Sequence, residues 1–274
     1  MTLLVAWAAV DTHGPSSVYL ASDSRISWGD SATFDRGRKV FAFKNWPDIV
    51  GYCGDVLFPS IALNQIVELA DAGLLFGPNF TTGQKFQAIV DKLNDLVVEY
   101  SKSHAGLDAN SLCVVHASRD NHSTLPFSCN TITWNVGQRW SGQAATFPAQ
   151  SDVLFAVGSA SATFRVNLAR YRAGPTSGTS RAVFHCFCDT LGASKDKTIG
   201  GPPQLVGIIR KPKSNAITFG VVHQGQRTFL GAHIDNLQNF EAVPWRNANF
   251  EIYDGRTGER IESAQQQPDP NRRL

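Results

Sequence analysis

The chain has 274 residues, 42% hydrophobic and 18% charged, which is enough apolar material for a sizeable core and too much for a disordered or fibrous protein. Its 25 basic and 23 acidic residues leave a formal charge of +2, with the basic ones scattered apart from a short C-terminal group, so neither nucleic acid nor an anionic membrane is an expected partner. No apolar run reaches the roughly 18 residues of a membrane span, and residues 1–10 carry neither a basic leader nor a cleavage pattern, so a cytoplasmic protein is expected.

Thr2 to Val10 is an apolar run of strand length, and Ser17 to Ser22 alternates moderately. The segment from Asp11 to Ser17 between them has turn chemistry, which predicts a hairpin. Two more strands are predicted at Lys39–Phe43 and Ile49–Cys53. The segment Phe58–Phe76 then places Ile61, Ile66, Leu69 and Leu75 near helical spacing. Gln84–Tyr100 does so more clearly, with Phe86, Ile89, Val90, Leu93, Leu96, Val97 and Tyr100 along one face. Strands are predicted again at Leu112–Ala117, Ser128–Val136 and Val153–Val157, then helices at Ala162–Tyr171 and Arg181–Leu191, and two last strands at Leu205–Arg210 and Ile217–His223.

The helices come in pairs between groups of strands, which favours two stacked sheets held between helix layers over a doubly wound parallel sheet. The expected organisation is a domain over residues 1–234 and a C-terminal extension over 235–274. Within the extension, 249–261 is compatible with a hairpin around Asp254 and Gly255, and a disordered tail is expected from about residue 263.

Several chemistries are not supported. The five cysteines are odd in number, lie in apolar contexts and form no C-x-x-C pair, and the seven histidines show no metal-ligand spacing, so buried structural thiols and no metal site are expected. Gly158 to Ala162 does not fit a G-x-S-x-G nucleophile elbow, and Gly200-Gly-Pro-Pro is followed by no lysine of a phosphate loop. Thr2 is more informative, because its small side chain permits removal of Met1. A threonine with a free α-amine contains both a nucleophile and its base, since an amine of pKa about 7.7–8.0 accepts the hydroxyl proton directly or through water.

The segments Tyr19-Leu-Ala-Ser-Asp-Ser-Arg25, Arg38-Lys-Val-Phe-Ala-Phe43 and Ile49-Val-Gly-Tyr-Cys-Gly-Asp55 resemble the opening of a proteasome β-subunit, including the bacterial HslV-type peptidases. In that family a threonine nucleophile starts the chain, an acid sits in an A-D-S-R-like turn and a lysine begins a K-[IVL]-F strand. Thr2, Asp23 and Lys39 match these, and the 16 residues from Asp23 to Lys39 equal the family's usual interval; the 21 from Thr2 to Asp23 exceed it by about one turn, absorbed by a longer hairpin tip. Val157-Gly-Ser-Ala-Ser161 is similar to the family's G-S-G-S turn, with Ala160 in place of a glycine. Asp196-Lys-Thr-Ile-Gly-Gly201 is similar to its D-x-x-S-G-G segment, with Ile199 in place of a serine.

The resemblance implies an Ntn-hydrolase fold, a four-layer αββα sandwich of two antiparallel sheets, and an N-terminal-threonine endopeptidase that needs no cofactor. It assigns Thr2 as nucleophile, Lys39 as the charge that activates it, Asp23 as the partner of Lys39, Ser159 and Asp196 as groups that position the amine, and the Gly51 amide as an oxyanion donor. Ile49 and Cys53 fall at positions that line the first specificity pocket and suit a medium-sized apolar side chain. The implied partners are copies of the chain in a ring or helical assembly, a peptide or unfolded-protein substrate and an ATP-dependent unfoldase. An amidase or acylase acting on small molecules, and an inactive scaffold subunit motivated by Ala160 and Ile199, are the alternatives.

Overall fold

A computed structural model of the chain describes residues 2–28, 32–103, 112–121, 123–134, 140–235 and 240–262, so Met1 and the tail expected from 263 lie outside the described residues. It is a mixed α+β structure with four α-helices and mostly antiparallel strands among those residues. In chain order the elements are strands β1 (Leu4–Asp11), β2 (Gly14–Ser22), β3 (Ile26–Trp28), β4 (Ala32–Phe34), β5 (Val40–Ala42) and β6 (Asp48–Cys53), then helices α1 (Leu57–Asp71) and α2 (Thr82–Ser103). Strands β7 (Leu112–Arg119), β8 (Phe127–Trp134), β9 (Ser141–Ala144) and β10 (Asp152–Val157) follow, then helices α3 (Ser161–Arg172) and α4 (Ser180–Ala193). The chain ends with β11 (Gln204–Ile209), β12 (Ile217–His223), β13 (Gln226–Phe229), β14 (Ala232–His233), β15 (Trp245–Asn247) and β16 (Ile252–Tyr253).

One sheet runs in the order β10-β1-β2-β11-β12-β13-β14, and β15 joins it by pairing parallel to β12 and antiparallel to β16. The other runs β5-β6-β7-β8-β9, and β3 and β4 form a separate ribbon. Because successive strand residues point to opposite faces, β1 and β2 divide their apolar side chains between two environments. Leu3, Val5, Trp7, Tyr19 and Ala21 pack with α3 and α4, whereas Leu4, Ala6, Val18 and Leu20 pack with Val40, Ile49 and Val115 of the second sheet. The far face of that sheet, with Phe41, Val50, Tyr52 and Val114, packs against α1 and α2. Each central strand is therefore buried on both faces, which explains why β1 reads as an unbroken apolar run.

Helix α1 stops at Asp71, short of the predicted Phe76. Ala72 closes it by donating its N–H to Glu68 O, and Gly73 turns away at φ +73, a left-handed value that favours glycine. Leu75 and Phe76 return to the core without helix, Phe76 stacking on Phe43 at 5.8 Å between ring centroids and meeting Trp46 edge-on at 5.3 Å. α4 starts where Thr179 caps it, its hydroxyl accepting from Ala182 N–H at 3.3 Å.

A buried ionic network fixes α2 to the second sheet at the end remote from Thr2. Lys85 Nζ donates to Asp48 Oδ2 at 2.6 Å and to Arg119 O at 2.9 Å, and Asp48 Oδ1 meets His116 Nε2 at 2.9 Å, all three side chains being fully buried. Burial works to raise the Asp48 carboxyl, but His116 and Lys85 together hold it below its ordinary value.

Candidate active site

The candidate residues come from four strand ends and one helix-to-strand connection. Thr2 immediately precedes β1, Asp23 follows β2, Lys39 precedes β5, Ser159 lies in the turn after β10, and Asp196 lies between α4 and β11. The two sheets bring these ends to one place. Lys39 Nζ donates to Thr2 Oγ1 at 2.9 Å and to Asp23 Oδ1 at 3.0 Å, with Lys39 and Asp23 at 0% exposure and Thr2 at 1%. Asp23 is held by backbone as well: Leu3 N–H donates to Oδ1 at 3.2 Å, and Arg25 and Gly200 N–H donate to Oδ2 at 3.2 and 3.3 Å. Burial pushes the Lys39 ammonium down and the Asp23 carboxyl up from their ordinary values, against the attraction between the two groups.

Beside this triad Ser159 Oγ donates to Asp196 Oδ2 at 3.3 Å, and Asp196 Oδ1 accepts from Thr198 N–H at 2.9 Å and from Thr198 Oγ1 at 2.6 Å. Burial works to raise the Asp196 carboxyl, yet the Thr198 and Ser159 donors leave it below its ordinary value. Thr2 and Ser159 both face a cleft of about 540 Å3 that is also lined by Cys53, Gly54, Cys113 and Thr133. Gly158 lets the turn reach Thr2: it has φ +96, and a Cβ there would collide with the Thr2 carbonyl oxygen.

Two expected residues are placed elsewhere. Ile49 is fully buried in the apolar layer between the sheets and does not line the cleft, because strand alternation gives that face to the core. Gly51 lies inside the ladder, opposite Val40 on one side and Val115 on the other. Tyr52 N–H donates to Lys39 O at 3.1 Å, so alternation turns the Gly51 N–H toward β7 and away from the expected oxyanion position. What Gly51 supplies is clearance, since a Cβ there would come within 2.9 Å of Leu4 Cδ1.

No family model and no curated protein sequence matches the chain. Its fold does match solved structures. The helical assembly of the Anbu complex from Pseudomonas aeruginosa aligns with a TM-score of 0.57 and 16% identity over 87% of this chain and 89% of that one. Anbu, described as ancestral beta-subunit, from Yersinia bercovieri aligns with a TM-score of 0.54 and 11% identity over 78% and 86%. A Gly-1 mutant of Anbu from Hyphomicrobium sp. strain MC1 gives 0.53 and 15% over 80% and 87%. At such identities the likeness is one of fold. It corrects the expected kinship with proteasome β-subunits of the HslV type: the motifs behind that expectation sample a few strand ends around one cleft, whereas the match to Anbu extends over most of the chain.

Sequence reading missed several residues that shape the site. Gln204 is fully buried and joins three loops, accepting from Lys39 N–H at 3.0 Å and donating to Ser24 Oγ at 2.8 Å and Gly37 O at 2.6 Å. Its signal was a polar residue opening an otherwise apolar strand, since a buried amide needs partners. Arg25 holds the 196–200 segment, donating to Lys197 O at 3.1 Å and Ile199 O at 3.3 Å while its guanidinium pairs with Asp35 at 2.6 and 2.8 Å. Cys113 and Thr133 line the cleft from β7 and β8, so Cys113 is not one of the closed core thiols that were expected. Ala160 and Ile199 both point into the core beneath α3 and α4.

Among the described residues no group of three or more His, Cys, Asp or Glu side chains could hold a metal ion, and no helix is long and apolar enough to cross a membrane.

Proposed function

We propose that this chain is an N-terminal-threonine hydrolase of peptide bonds, active after removal of Met1 and working within a homo-oligomer. The observation that carries the reading is Lys39 Nζ held in full burial between Thr2 Oγ1 and the Asp23 carboxylate. A lysine whose ammonium is disfavoured by burial readily exchanges a proton with a hydroxyl 2.9 Å away, and Asp23 fixes its direction. Thr2 Oγ1 attacks the carbonyl carbon as its proton passes to the amine groups beside it. The tetrahedral intermediate collapses to an ester on Thr2 with release of the amine product, and water then hydrolyses the ester. Ser159 and Asp196 orient the Thr2 α-amine, which takes the proton on from Lys39 in the first half and activates the water in the second. With Gly51 committed to the ladder, the cleft-lining backbone at Gly54 is the proposed source of an oxyanion donor, and Cys53 is retained as a pocket residue.

The packing of two sheets between helix pairs supports reading the fold as a four-layer αββα sandwich of the Ntn-hydrolase type. Its main domain would span 1–234, with 235–274 added to one sheet through β15. The helical assembly named for the Pseudomonas Anbu complex supports a homo-oligomer here, with peptide or unfolded protein entering the assembly as substrate. The burial of Ala160 and Ile199 favours one competing reading, a scaffold subunit without catalysis, because neither presents a hydroxyl to the amine.

Intact mass spectrometry of the purified protein, before and after incubation with a peptide epoxyketone, decides between them. The expected result is loss of Met1 and a single adduct absent from Thr2→Ala. A freed Thr2 that stays unmodified would favour the scaffold, and light scattering of the same sample reads the assembly.

A further inference from the structure

The cleft that contains Thr2 also contains two nucleophilic side chains that the proposed hydrolysis does not use. Cys53, the last residue of β6, and Cys113, near the start of β7, are direct partners in the antiparallel ladder and both line the cleft. Directly opposed residues share a face of the sheet, so the two thiols stand side by side on the wall of the cleft. The alternation that turns Gly51 toward Val115 makes Cys53 and Cys113 a hydrogen-bonded pair as well. The Cα atoms of such a pair lie about 5.5 Å apart, inside the roughly 4.4–6.8 Å that a disulfide bridges without backbone movement.

The remaining thiols are shut away: Cys129 lies in the layer between the sheets, and Cys186 and Cys188 lie beneath α3 and α4. Burial pushes Cys186 up to about 11 and the other two higher still, which suppresses their thiolates. Cys113 differs, because a hydrogen bond from the Cys53 thiol, with help from Thr133, holds it below its ordinary value against the effect of burial.

We infer that Cys53 and Cys113 form a redox-active dithiol that hydrogen peroxide oxidises to a cross-strand disulfide inside the Thr2 cleft. The Cys113 thiolate attacks one peroxide oxygen, the O–O bond breaks, and the departing hydroxide takes up the Cys53-side proton to leave as water. The Cys53 sulfur then attacks the sulfenic sulfur of Cys113, the S–O bond breaks, and the departing hydroxide takes from solvent the proton that Cys113 gave up on ionising and leaves as a second water. Two electrons pass from the dithiol to the peroxide. The bond ties β6 to β7 beside Gly54 and closes part of the space through which a substrate reaches Thr2. This consequence rests on the hydrolase reading, whereas the oxidation itself does not.

The test uses the full-length protein, reduced and then exposed to hydrogen peroxide. Intact mass is expected to fall by about 2 Da, the loss of two hydrogens, with a Cys53–Cys113 linked peptide after digestion and full reversal by dithiothreitol. Cys53→Ser and Cys113→Ser should each abolish the change, and either one suffices if the other does not fold. No mass loss, a link through Cys129, Cys186 or Cys188, or oxygen addition without a link would overturn the inference. In the same samples epoxyketone labelling of Thr2 should slow by about tenfold or more in the oxidised form, the scale that a small misplacement at a reactive centre produces. Equal labelling rates would overturn the closing effect. A disulfide that forms in protein whose Thr2 never labels would reject the hydrolase reading and leave the dithiol standing.

Discussion

Lys39 is a buried cation with two neighbours of different worth. Toward Asp23 it is half of an ion pair in which the carboxylate keeps three backbone donors, from Leu3, Arg25 and Gly200, whatever happens to the lysine. Toward Thr2 it is a donor, 2.9 Å from the hydroxyl oxygen. Lys39→Ala is therefore expected to leave a folded protein, weakened by the roughly 3–5 kcal/mol that follows from removing one member of a buried pair. Epoxyketone labelling of Thr2 should fall by about 10²–10⁴-fold. The pH dependence has a definite sign. A lysine whose native pKa lies below the 10.5 of a free lysine binds its proton less tightly when folded, so the stability it costs is present at low pH and relieved as pH rises toward that value. Labelling of Thr2 should rise through the same window as neutral Lys39 accumulates; a flat rate from neutral pH upward would reject proton transfer to Lys39.

Among the elements, β6 does two unrelated jobs. Its first residue, Asp48, anchors α2 through Lys85 and His116, and its last, Cys53, lines the Thr2 cleft. Six strand residues separate these ends by about 17 Å, so the two functions should come apart on mutation. Lys85→Met leaves Asp48 with His116 alone and is expected to cost about 3–5 kcal/mol in urea unfolding at neutral pH, without altering the rate at which Thr2 labels. Asp48 has its native pKa below the ordinary 3.8, so its contribution is present above that value and lost as pH falls through the lower native one. The difference between wild type and Lys85→Met should accordingly shrink in strong acid, and a difference independent of pH would show that Asp48 is not the group concerned.

For the molecule as a whole, the segment after β14 is structurally committed to the core. β15 adds to β12, and Phe250, at φ 60, drops into an aromatic cluster with its ring 5.9 Å from Trp7, 5.1 Å from Tyr19 and 5.6 Å from Phe184. Arg246 covers the cluster, 5.5 Å from the Phe250 ring and 5.2 Å from that of Phe219. Phe250→Ala empties the middle of this group and is expected to cost about 3–5 kcal/mol. Thermal unfolding should show a single transition moved to lower temperature; an unchanged midpoint would mean that the segment contributes nothing to the packing of the sheet it joins.

The sequence by itself determined the elements whose side chains repeat. The apolar run of β1, the helical period of α2 and the paired grouping of helices were readable because each periodicity records one face packed against one neighbour. It also picked out Thr2, Asp23, Lys39, Ser159 and Asp196, whose contacts the tertiary structure supplies. Residues whose role depends on a distant strand end were not readable in advance. Gln204 stands 165 positions from the Lys39 amide that it accepts, and Cys113 meets Cys53 only through the β6–β7 register. Gly51 and Ile49 were assigned to the site by position along the chain, but the alternation of the ladder turned one amide into the sheet and one side chain into the core. The short strands β3, β4, β9 and β13 escaped for a related reason: three or four residues with mostly polar or exposed side chains carry no period, and their pairing is decided by what the rest of the fold places beside them.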